Sequence, residues 1–343
     1  MITKKQFGIA DDGTVVDIYT LSNGVAEVSI ITYGGAIQSI KVPNNAGKLV
    51  DVCCGYDTLY AYQHTGGYLG ALIGRFGNRI RAGKFIVNGV EYQVPCNEAK
   101  GSLHGGPKGL DKKVWDAKID GDELVLTVSS PDGDMGYPGK MDVTVKYSFN
   151  SDNELKLEYF ATCDKDCPIN LTNHCYFNLH GQGAGTIADT VLTLNADYIT
   201  PVDEASLPDG RFMIVAGTPF DFRTPKEIGR DINADFEQIK FGKGYDHNYV
   251  LNIKGFAKFG TAVSKRTGIK MDCYTDQPGV QFYSGNFMNN VKGKDGLIYN
   301  RRDAFCLETQ NYPNAVNCPE YPNSILKAGE EYHTVTVYKF SVE

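Results

Sequence analysis

Met141-Asp142-Val143-Thr144-Val145-Lys146-Tyr147-Ser148-Phe149 carries an apolar side chain at every second position. Asn150-Ser151-Asp152-Asn153 follows, rich in residues that turn the chain, and Leu155-Lys156-Leu157-Glu158-Tyr159 then resumes the alternation. Successive side chains of a strand point to opposite faces. A period of two therefore puts Met141, Val143, Val145, Tyr147 and Phe149 on one face and Asp142, Thr144, Lys146 and Ser148 on the other. The stretch reads as an antiparallel β-hairpin with one dry face and one wet face.

The same signal recurs outward from this hairpin. Asn88-Gly89 lies between Lys84–Val87 and 90–94, and Asn-Gly suits the positive φ angles of a tight hairpin turn. Further strands are expected over 25–31, 36–42, 123–129, 191–194, 269–275, 280–284 and 332–342. Helical periodicity is confined to two short stretches, 58–63 and 236–240. Length alone, 343 residues, would allow two domains. No fixed-period repeat, low-complexity tract or Pro/Gly/Ser-rich linker divides the chain, so residues 1–343 are expected to form one all-β domain. So many strands would curl or split as a single sheet, which points to a large antiparallel β-sandwich with few short helices.

Composition narrows the function. Lys and Arg total 34 against 41 Asp and Glu, a net charge of −7 without a run of like charge, which disfavours nucleic-acid or anionic-membrane partners. The first residues lead into a polar stretch, and no apolar run approaches a membrane span, so the expected location is cytoplasmic. Nine cysteines in irregular spacing fit reduced thiols rather than a disulfide framework or a zinc site. Without a secretory signal, the sequon Asn170-Leu171-Thr172 is expected to be fortuitous. Phosphate-binding loops, H-E-x-x-H, EF-hand and G-x-S-x-G signatures are missing, and the Gly-rich run 181–185 reads as a loop.

Candidate chemistry sits elsewhere. His104 lies in Gly101-Ser102-Leu103-His104-Gly105-Gly106, where flanking glycines allow close backbone approach to a ligand. In a strand over 170–179, His174, Tyr176 and Asn178 would share one face and Cys175, Phe177 and Leu179 the other; the polar face looks suited to a sugar. Glu308 is the sole charge in Ala304-Phe305-Cys306-Leu307-Glu308-Thr309-Gln310, where desolvation would raise its pKa towards that of a working general base. Its alternative is a structural ion pair. Gln281 faces away from two apolar neighbours, Asp246 has loop-like surroundings, and Asn78-Arg79 closes Gly74-Arg75-Phe76-Gly77-Asn78-Arg79. This inventory suits proton transfer on a neutral polyol, with neither a nucleophile motif nor a metal cage.

These motifs together resemble the aldose 1-epimerase (galactose mutarotase) family. Asp132-Gly133-Asp134-Met135-Gly136-Tyr137-Pro138-Gly139 and Gly217-Thr218-Pro219-Phe220-Asp221-Phe222-Arg223 add to the likeness, as do Gly244-Tyr245-Asp246-His247 and 275–281. The resemblance implies a large β-sandwich and acid–base anomer interconversion of D-galactose and D-glucose, without cofactor or metal. It implies Glu308 as the base at the C1 hydroxyl, His174 as the acid at the ring oxygen, and His104 as a second imidazole there. Asn78, Arg79, Tyr176, Asp246 and Gln281, with His104, fall at sugar-site positions. The expected partner is a small aldose, and the expected assembly a monomer or weak homodimer. Two other readings stand beside it: a non-catalytic carbohydrate-binding β-sandwich, and a glycoside hydrolase pairing Glu308 with Asp246 or Asp276. A mutarotase for hexose 6-phosphates would need a basic cluster, and none stands out.

Overall fold

The computed structural model describes residues 1–343. The opening hairpin is observed as Met141–Phe149 and Glu154–Cys163, with Val145 opposite Tyr159 and alternate residues buried along both strands. It extends into a nine-stranded sheet. Asp116–Asp120 and Glu123–Ser130 continue it on one side. On the other, Glu331–Val342 pairs with Glu154–Cys163 and then with Ile269–Thr275, followed by Ala257–Val263, Val191–Leu194 and Lys226–Glu227.

Two five-stranded sheets complete the β-sandwich. The first is a meander of Ile2–Ile9, Val15–Ser22, Glu27–Ile31, Ile37–Pro43 and Leu49–Asp51. The second orders Met213–Ile214, Ala196–Thr200, Asp246–Leu251, Gly279–Tyr283 and Cys306–Gln310. All these pairings are antiparallel. A strip around Phe177 stitches the two smaller sheets together, bridging Cys53 on one side and Phe305 on the other. One apolar cluster of 56 buried residues draws on all three sheets, including Val28 and Ile40, Val145 and Tyr338, and Val280 and Leu307.

Most expected strands fall within two residues of their places. Lys84–Val87 and Val90–Gln93 flank Asn88 and Gly89, at φ +52° and +79°. The strand expected from Val25 begins at Glu27, because the Asn23 side chain accepts the Val25 and Ala26 amides and holds them in a turn. The two short helices are Leu59–His64, capped by the Thr58 hydroxyl, and Glu237–Gly242.

Two local readings need correction. Asp246 opens the strand Asp246–Leu251 rather than lying in a loop; nearly every residue of that strand is buried, so no alternation marked it. Residues 170–179 are not a continuous strand: only Thr172–Asn173 pairs regularly, and that pairing stops at Asn173. Asn178 does not join His174 and Tyr176: its amide donates to the Gly185 and Asp303 carbonyls, making it a structural clamp. Asn170 of the sequon is fully buried. All nine cysteines are free thiols, and only Cys96 is exposed.

Candidate active site

The second five-stranded sheet turns one face towards a cavity. Register sets Asn248 beside Gln281 and Gln281 beside Glu308, while Asp246 lies beside Tyr283 and Tyr283 beside Cys306. Alternation within Cys306–Gln310 puts Cys306, Glu308 and Gln310 on that face and sends Leu307 into the apolar core. Gln310 donates to Asn248 Oδ1 and Gln281 Oε1, both at 3.1 Å. Gln281 in turn donates to Asp246 Oδ1 at 2.7 Å. Each amide is therefore held in one orientation by its neighbours.

Loops supply the opposite wall. Asn97 grips Leu103, accepting its N–H at 2.7 Å and donating to its carbonyl at 3.0 Å. The chain then turns at His104, with φ +53°, and its Nδ1 accepts the Asn78 N–H at 3.1 Å. Arg79 is held by a two-point pair with Glu98, at 2.7 and 3.0 Å. The His174 ring stacks on Tyr176 at 4.8 Å and lies 5.2 Å from the His104 ring, while Tyr68 packs against both imidazoles.

All eight residues singled out from the sequence, Asn78, Arg79, His104, His174, Tyr176, Asp246, Gln281 and Glu308, line one cavity of about 300 Å³. Tyr68, Glu98, Tyr283 and Phe287 also line it and were not anticipated. Gln310 could have been found, since it shares a strand face with Glu308 two residues away; Tyr68 and Glu98 lie in irregular segments without periodicity. Asp276 lies elsewhere, accepting the Val335 N–H. A larger groove of about 430 Å³ beside Ile86 and Tyr321 contains neither carboxylate nor imidazole.

His174 Nε2 and Glu308 Oε1 are 3.7 Å apart, and both side chains are almost wholly buried. Glu308 Oε2 makes no hydrogen bond within the protein. Burial, reinforced by nearby Asp246 and opposed by Arg79, pushes the Glu308 carboxyl well above the usual carboxylate range. Burial pushes His174 the other way, down to about 4. His104 is also driven well down, by burial and by the positive charge that His174 and Arg79 can carry. Asp246 is raised by burial, against the pull of Arg79 and its bond from Gln281.

His104, His174 and Glu308 place their potential ligand atoms within 4.8 Å of one another, the donor set of a two-histidine, one-carboxylate metal centre. The bond from Asn78 argues against that use. A metal-binding imidazole normally donates its other N–H outward, whereas His104 Nδ1 accepts one, so the ring hydrogen sits on Nε2 where the metal would bind. The arrangement fits proton transfer instead.

A carboxyl and an imidazole perturbed in opposite directions, with fixed amides and a guanidinium around them, are the groups that proton transfer on a polar, uncharged substrate calls for. The aldose 1-epimerase family model matches residues 17–339, and the chain belongs to that family of isomerases. It is 41% identical to galactose mutarotase of Rattus norvegicus, over 99% of both chains. It is 37% identical to aldose 1-epimerase of Escherichia coli K12, over 98% of both. The solved structure of galactose 1-epimerase from Lactobacillus acidophilus superposes with a TM-score of 0.88 at 29% identity, covering 100% of this chain and 99% of that one.

Proposed function

We propose that the protein interconverts the α and β anomers of D-galactose, and of D-glucose, by acid–base ring opening and closure. Glu308 removes the C1 hydroxyl proton while His174 Nε2 gives a proton to the ring oxygen. The C1–O5 bond breaks, leaving an open-chain aldehyde that turns about C1–C2. Closure in the reverse sense, on the other face of the carbonyl, yields the other anomer and restores both groups. Asn78, Arg79, Tyr176, Asp246 and Gln281 bind and orient the hydroxyls, and His104 donates its Nε2–H near the ring oxygen. Residues 1–343 act as one unit, in keeping with the core cluster that draws on all three large sheets.

The observation that carries this reading is the buried Glu308–His174 pair. Before ring opening it is ionised, carboxylate with imidazolium; afterwards it is neutral, carboxylic acid with imidazole. The pair keeps one proton throughout. Burial raises Glu308 and lowers His174, so both shifts favour the neutral pair. The environment thereby favours the state that accompanies the open-chain sugar, so proton transfer runs downhill once the minor ionised form has met the cyclic sugar. A merely binding site would gain nothing from an acid and a base perturbed in this way. A hydrolase would need a second carboxyl of the cavity, Asp246 or Glu98, to work with Glu308, yet Asp246 is tied to Gln281, Glu98 to Arg79, and Glu308 Oε1 faces an imidazole.

Polarimetry of fresh α-D-galactose tests the proposal. The protein is expected to hasten the approach to equilibrium, and Glu308→Gln or His174→Ala to lower kcat about 10²–10⁴-fold while remaining folded. A rate equal to that of buffer would overturn it. Release of sugar from a nitrophenyl galactoside would favour the hydrolase.

A further inference from the structure

The two imidazoles of the cavity differ at Nδ1. For His104 that atom faces the Asn78 backbone N–H. A backbone amide can only donate, so His104 must keep its hydrogen on Nε2 and cannot become imidazolium without setting two N–H groups face to face. His174 Nδ1 instead lies 3.5 Å from the Cys306 sulfur, and the main chain of His174 itself is a further hydrogen-bond partner of the ring. Cys306 is fully buried and packs in one apolar cluster with Tyr176 and Tyr283. Burial drives its thiol well up, so it stays uncharged beside the ring.

We propose that Cys306 is a positioning residue for His174, its sulfur accepting the Nδ1–H so that Nε2 is the nitrogen that exchanges protons. This rests on the reading of His174 as the acid. The geometry assigns the two imidazoles different tasks: His104 is a permanent Nε2–H donor, whereas His174 keeps its Nδ1 hydrogen and cycles at Nε2. When imidazolium Nε2–H goes to the ring oxygen, the ring is left with hydrogen on Nδ1 and a lone pair on Nε2. That lone pair takes the proton back on closure, so no tautomer change is needed within a turnover.

The weakness of sulfur as an acceptor is part of the device. A carboxylate at this position would orient the ring equally well but would raise its basicity and hold the proton. An uncharged thiol orients it and leaves the imidazolium a ready acid. Apart from its own main chain, no group around His174 competes with the sulfur for Nδ1. Glu308 lies at Nε2, 3.7 Å away. His104, Tyr68, Tyr176 and Tyr283 meet the ring through their own rings. The charge of Arg79 acts on His104 and Glu308.

The test combines ring-¹⁵N histidine NMR of the whole protein with pH profiles of mutarotation. Wild type is expected to show His174 with hydrogen on Nδ1 and a bare Nε2 near neutral pH. Cys306→Ala should shift that hydrogen towards Nε2 and lower kcat/KM about 10-fold. Cys306→Ser supplies a stronger acceptor and should restore the Nδ1–H form and most of the rate, with the acidic limb moved to higher pH. Wild-type His174 carrying its hydrogen on Nε2 would overturn the proposal, even if Cys306→Ala fails to fold. A folded Cys306→Ala with the wild-type tautomer, rate and pH limb would do so too. The NMR reading needs no turnover, so a protein without mutarotase activity still tests the role of Cys306 separately.

Discussion

Glu308 and His174 lie 3.7 Å apart, and in the proposed mechanism they act as one pair. The working state holds one proton between them. As pH falls, a second proton binds His174, whose pKa burial has brought down to about 4, and the ionised form needed to start is lost. As pH rises, the last proton leaves Glu308, whose pKa burial has pushed well up. kcat/KM should therefore decline below about 4, stay level through neutrality and decline again on the alkaline side. Unperturbed groups would instead confine activity between about 4.3 and 6.5. Initial mutarotation rates across pH, on protein checked for folding by circular dichroism, separate the two profiles. A narrow optimum near pH 5 would show that burial does not control the pair.

Turns position the cavity wall as firmly as strands position its floor, and two glycines separate the reasons. Gly89 sits in the exposed hairpin at φ +79°, with nothing within 4 Å of an added Cβ. Alanine there should cost about 1–2 kcal/mol from backbone strain alone. Gly105 has φ +85°, but its Cβ would lie 2.0 Å from the Gly74 carbonyl oxygen and 3.0 Å from the Arg75 nitrogen, both main-chain atoms with little freedom to move. Gly105→Ala should cost more than Gly89→Ala and displace His104, lowering both the urea midpoint and kcat. Equal midpoints for the two variants would contradict the close-approach argument. The same elements mark what could be read in advance. Met141–Phe149 was legible because one face is wet, and Glu308 because a lone charge interrupts an apolar strand. Asp246–Leu251 was not, since burial on both faces erases the period. Nor was the role of Asn178, because a polar side chain bonding to distant carbonyls carries no local signal. Glu98, which holds Arg79, depends on a loop approach that only the closed fold creates.

At the scale of the whole molecule, the last strand closes the architecture. Glu331–Val342 enters the nine-stranded sheet between Glu154–Cys163 and Ile269–Thr275, which are far apart in the chain. Without it, the portion built from residues 116–163 would have no pairing to the portion built from 191–275. The strand buries Val337, Tyr338 and Phe340, each contributing about 1.5–3 kcal/mol. Together these rival the total stability of a typical domain, about 5–15 kcal/mol. Its Tyr338 hydroxyl also donates to the Leu307 carbonyl at 2.8 Å, fastening the sheet to the strand that carries Glu308. Deleting residues 331–343 should therefore abolish folding and leave two open strand edges prone to association. Gel filtration should show aggregate, circular dichroism no cooperative melt, and polarimetry no rate above buffer. A monomeric truncated chain that melts cooperatively would mean that the sheet closes without its last strand. Retained mutarotation would add that Glu308 needs no support from Tyr338.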